Sequence, residues 1–63
     1  MSNQNAGYTV QPPAVAFAAN LGSLRSNLRF YQQRGELSED VISDINIGIY
    51  FLEVAVEKLE ASE

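Results

Sequence analysis

The sequence has no cysteine, no histidine and no tryptophan, and its one lysine, Lys58, stands among eight acids. Without cysteine there is no disulfide and no thiol nucleophile. Without cysteine or histidine, the usual zinc sites and most other transition-metal sites are excluded as well. Histidine is the commonest general base, so its absence counts strongly against catalysis. Ser23, Ser26, Ser38 and Ser43 have no base at a useful spacing, and no glycine-rich phosphate loop is present. The acids Glu36, Glu39, Asp40 and Asp44 lack the alternating ligands and central glycine of a calcium loop. No enzyme activity, cofactor or bound metal is therefore expected. Long apolar runs are missing too. The longest uncharged stretch of the C-terminal half is 45–52, far short of the roughly 20 residues that cross a bilayer. The opening MSNQNAGYTVQPP is polar, with no basic segment leading into an apolar one. A cytoplasmic protein away from membranes is the expectation.

What the chain has instead is helical period. Ile42, Ile45, Ile49, Leu52, Val56 and Leu59 step by three and four, which is one stripe of an amphipathic helix. Ala14, Phe17, Leu21, Leu24, Leu28 and Tyr31 repeat the pattern upstream. Val, Ile, Tyr and Phe between positions 41 and 56 favour strands by propensity, but the length and sustained period argue for helix. Pro12 and Pro13 suit a helix start, where the missing N–H costs nothing, and Gly35 suits the left-handed position after a helix end. Ser38 is a good N-cap, with Glu39 and Asp40 in the first turn and Leu37 and Ile42 placed as a hydrophobic staple. The fold class is thus all-α. A flexible N-terminal segment, 1–11, precedes a helical hairpin, 12–63, with helix 1 at about 13–34, a turn at 35–37 and helix 2 at about 39–61. So short a turn makes the helices antiparallel. Taking residues whose numbers sum to 73 as level pairs the stripes, Leu28 with Ile45 and Leu24 with Ile49 among them.

A chain of 63 residues is one domain at most, and it buries only about 60% of its unfolded surface, which leaves a lone hairpin near the threshold of stability. Oligomerisation is the remaining common remedy. Helix 2 carries further apolar residues outside its stripe, and Ile47, Tyr50, Phe51 and Val54, with Phe30 of helix 1, form the expected oligomer interface. Two hairpins joined there make a homodimeric four-helix bundle. Gly22 and Gly48, beside Ala18 and Ala55, are candidate points of close helix approach.

Charge is segregated along the chain. Residues 1–35 hold Arg25, Arg29 and Arg34 and no acid, and residues 36–63 hold eight acids and Lys58, so +3 is followed by −7 to give the net −4. Folding back pairs the two, with Arg29 expected near Asp44 and Arg34 near positions 38–40. Three arginines in a negative field make direct nucleic-acid binding an unpromising function. Glu53, Glu57 and Glu60, left over at the open end, are candidates for docking a basic partner protein. The first functional reading is accordingly a small non-enzymatic homo-oligomer that regulates or inhibits a partner.

The second reading is a small-anion or nucleotide site built on Arg25 and Arg29, one helical turn apart, and Gln32 or Gln33 on the same side of helix 1, with Tyr31 and Phe30 close by. The segment GIYFLEVAV, residues 48–56, resembles the glycine–aromatic–apolar helix that ends small phage proteins of the cyclic-nucleotide sponge type. That resemblance implies a helical hairpin oligomer of phage or bacterial kind that sequesters signalling nucleotides.

Overall fold

Pro12 enters the first helix with extended geometry (φ −57°, ψ 149°), and Pro13 occupies the first helical position. A proline there loses no hydrogen bond, because the first N–H groups of a helix have no partner inside it. The first closing bond runs from the Ala16 N–H to the Pro12 carbonyl at 3.1 Å. Helix α1 spans Pro13–Gln33 and α2 spans Glu39–Ser62 in a computed structural model that describes residues 10–62. The flexible segment expected at 1–11 lies outside the described residues except for Val10 and Gln11, as does Glu63.

The turn is built from backbone bonds. Gly35 has φ +71°, its N–H donates to the Gln32 carbonyl at 3.0 Å, and the Glu36 N–H donates to the Tyr31 carbonyl at 3.1 Å. This pair of bonds is the Schellman motif, and it needs the left-handed residue that glycine adopts without Cβ strain. Three residues after Gly35 the Ser38 hydroxyl accepts from the Val41 N–H at 3.2 Å, and the Ser38 carbonyl accepts from the Ile42 N–H at 3.0 Å. Glu39 and Asp40 fill the first turn of α2, where the helix dipole favours negative charge. At the far end the Ser62 hydroxyl donates to the Leu59 carbonyl at 2.9 Å.

The two helices pack on each other as a hairpin, and what they bury is small. Ala14 and Leu21 of α1 meet Ile49 and Val56 of α2 as the core, and no side chain falls below 2% exposure. Leu28, Ile42, Ile45, Leu52 and Leu59 are half-buried around them. The α1 stripe divides in two. Ala14, Leu21 and Leu28, seven apart, turn into the seam, whereas Phe17, Leu24 and Tyr31, also seven apart, stay 45%, 41% and 43% exposed. A single neighbouring helix covers only one of the two rows that make up a three-and-four stripe, so half of the α1 stripe stays in the open.

Candidate functional site

The hairpin has two unlike sides. On one, Arg25, Arg29 and Gln32 of α1 face Asn46, Tyr50 and Glu53 of α2 across an open groove of about 450 Å³ floored by Leu28 and Ile49. On the other, Leu24, Asn27 and Tyr31 of α1 meet Leu37 and Ile45 around a hollow of about 150 Å³. Leu28 lines both, with Ile49 in one and Ile45 in the other.

Helical geometry dictates the segregation. At about 100° per residue, Arg25 and Arg29 lie some 60° and 100° round from Leu28, and Asn46 and Tyr50 lie the same amounts round from Ile49. Because the helices run antiparallel, the same sense of rotation brings both sets to one side. The two lining triplets share one spacing, 25, 29, 32 and 46, 50, 53, which is i, i+4, i+7 on each helix.

Charge pairs differ from those expected. Arg25 bridges the helices to Glu53, and Arg34 bonds through Nε to Glu36 Oε2 at 2.6 Å while its guanidinium lies over the Phe30 ring at 5.4 Å. Arg29 does not reach Asp44, and among the described residues it forms no ion pair. The turn explains the second difference. The Schellman geometry brings Glu36 beside Arg34, closer in the chain than residues 38–40.

The proposed ligand residues are split between the two sides. Arg25 and Arg29 share the charged groove, and Tyr31 lines the opposite hollow. Gln32, expected on the same side of α1, lines the groove with the arginines; the aromatic that accompanies them is Tyr50, and with it comes Asn46, neither of which the sequence reading placed there. The matched i, i+4, i+7 spacing on the two helices was the signal available for them.

Of the residues assigned to an oligomer interface, Ile47, Tyr50, Phe51 and Phe30 are 53–64% exposed, and Val54 is half-buried. Ile47, Tyr50, Phe51 and Val54 share one face of α2, and Phe30 lies on the other helix, apart from them. Phe51 lies about 200° round from Ile49, and Phe30 about 200° round from Leu28, so each sits on the outer back of its own helix. Phe30 stacks edge-on against Tyr31 at 5.0 Å, and Phe51 against Tyr50 at 5.4 Å. Of the acids offered for partner docking, Glu53 is engaged by Arg25, while Glu57 and Glu60 are exposed and without an ion pair among the described residues.

Among the described residues no cluster of acids could hold a metal ion, and no helix is long and apolar enough to cross a membrane. No family model, no curated protein and no solved structure matches this chain.

Proposed function

We propose that this chain is a small non-enzymatic homo-oligomer, two hairpins joined in a four-helix bundle, that regulates or inhibits a partner protein by binding it. The observation that carries this reading is the imbalance of burial. Among the described residues four make the core, and ten large apolar residues are more than 40% exposed, from Leu24 at 41% to Val10 at 85%. Monomers seldom leave so much apolar surface uncovered relative to so small a core. With the helices joined in a bundle, Ile47 and Phe51 on the back of α2 and the unpaired Glu57 and Glu60 are the surfaces left for a basic partner with an apolar centre. Native mass spectrometry of the protein purified from the cells that make it tests this. A dimer carrying a second polypeptide, lost in a Glu57→Lys, Glu60→Lys variant, is the expected result. A bare monomer overturns it.

The charged groove favours a second reading, small-anion or nucleotide binding. Arg29 has no counter-ion among the described residues, Gln32 and Asn46 offer donors, and Tyr50 offers an aromatic ring across the groove. Its test is calorimetric titration with a nucleoside monophosphate, whose binding should vanish in Arg29→Ala. Heat of binding that survives that change rules this groove out.

A further inference from the structure

We propose that a second copy of this chain docks on the uncharged side of the hairpin, along the exposed row Phe17, Leu24 and Tyr31, and not across the backs that carry Phe30 and Phe51. The inference rests on the homo-oligomer reading and says which surface makes the oligomer.

The first argument is the distribution of charge. Going round each helix from the seam toward the uncharged side, α1 presents Leu24, Tyr31, Asn20 and Asn27, and α2 presents Ile45, Leu52, Gly48 and Ala55. Both helices run through nearly 120° without a charged residue; Arg34, at the C-cap of α1, stands at the edge at about 120°, and Asp44 beyond it at about 140°. Arg25, Arg29, Glu53 and Glu57 all lie on the opposite side. A surface free of charge is matched by another free of charge, and the one such surface guaranteed to be present wherever this chain is made is its own. Like charges are kept out of a two-fold contact, where every residue near the axis faces its own copy.

The second argument is period. Phe17, Leu24 and Tyr31 repeat every seven residues, as do Ala14, Leu21 and Leu28 in the seam already formed. Ile45, Leu52 and Leu59 of α2 keep the same spacing and are only half-buried. Knobs at seven-residue intervals need holes at the same intervals, which a second hairpin supplies along its full length. The α1 back lacks such a row, since Phe30 is the only large apolar residue on its C-terminal half, and the apolar residues of the α2 back, Ile47, Phe51 and Val54, have no counterpart row on α1.

The third argument is area. Helix α1, at 21 residues, is about 30 Å long, and two packed helices are about 20 Å wide, giving a projected footprint of about 600 Å² before side-chain relief is counted. A stable interface takes about 800 Å² of accessible surface from each partner; the flat projection is about three quarters of that, and side-chain relief adds to it, so this side is of the order required. Gly48 agrees with the assignment. A Cβ built there meets nothing within 4 Å, so the hairpin itself does not require glycine, and the uncharged side is where an incoming helix would.

The absence of cysteine makes the test direct, since one introduced thiol is the only one. Sedimentation equilibrium of the wild-type chain comes first: a monomer mass at every concentration overturns the homo-oligomer reading and this inference with it. Given an oligomer, Leu24→Cys and Phe51→Cys are each reacted with a maleimide. Leu24→Cys should react about tenfold or more slowly than Phe51→Cys, because a thiol in a closed interface reacts only on opening, and the gap should close on dilution. Asn27→Cys, exposed in the single hairpin and lining the hollow on the uncharged side, where the second copy would cover it, replaces Leu24→Cys if helicity is lost. A freely reactive thiol at position 24 or 27 in a species of dimer mass, with protection at position 51, overturns the face assigned and leaves the oligomer standing.

Discussion

Gly35 and Gly22 show how the same residue type has opposite consequences at two places in one helix. Gly35 holds φ +71° and the Schellman bonds depend on it, so Gly35→Ala should destabilise by about 1 kcal/mol. Gly22 lies mid-helix with open space where a Cβ would be, and Gly22→Ala should stabilise by up to about 1 kcal/mol through helix propensity. Urea denaturation of the two variants checks both signs in one experiment; equal shifts would mean that the turn is not the one described. The bridge between Arg25 and Glu53 is a weaker matter. Their side chains are 47% and 38% exposed, so solvent screens the pair. A double-mutant cycle with Arg25→Ala and Glu53→Ala should give a coupling of no more than about 1 kcal/mol that shrinks as salt is added.

The elements were legible nearly to the residue, because their ends are marked by local chemistry. Pro12 and Pro13, then Gly35, then Ser38 each act within one turn of backbone, and helices Pro13–Gln33 and Glu39–Ser62 begin and end where those residues direct. The capping role of Ser38 is open to direct test: Ser38→Ala removes the hydroxyl that accepts from the Val41 N–H and should cost about 1 kcal/mol, whereas Ser43→Ala, within the α2 body, should change stability little. What the stripes did not disclose is which of their two rows turns inward. Period states that a helix has an apolar side, and it does not state how many neighbours share that side. With one neighbour, Leu21 is covered and Leu24 is not. The same limit applies to the candidate site. Arg25 and Arg29 were recognisable as one flank of α1, but their companions Asn46 and Tyr50 come from the other helix, and only the pairing of the helices brings them across the groove.

For the whole molecule, the question is whether one hairpin is enough. A buried Leu, Ile or Val contributes about 1.5–3 kcal/mol, and the core offers one leucine, one isoleucine, one valine and one alanine, none of them fully enclosed. Ordering some fifty residues costs about 1 kcal/mol or more each, so local helix formation and this seam together leave little surplus. A second copy changes that balance, because Phe17, Leu24 and Tyr31 become core on both sides of a two-fold axis. Folding and association are then one event, and mass action governs both. Each tenfold rise in protein concentration should add about 1.4 kcal/mol per dimer, which for a molecule of this size moves the melting temperature by about 5 °C. Thermal melts by circular dichroism across two decades of concentration measure that slope. Leu24→Asp, which leaves the hairpin seam untouched but sets a charge on the uncharged side, should lower the melting temperature and steepen its dependence on concentration, whereas Lys58→Ala, outside that side, should do neither. A melt independent of concentration would mean that the hairpin stands alone with its apolar row in water.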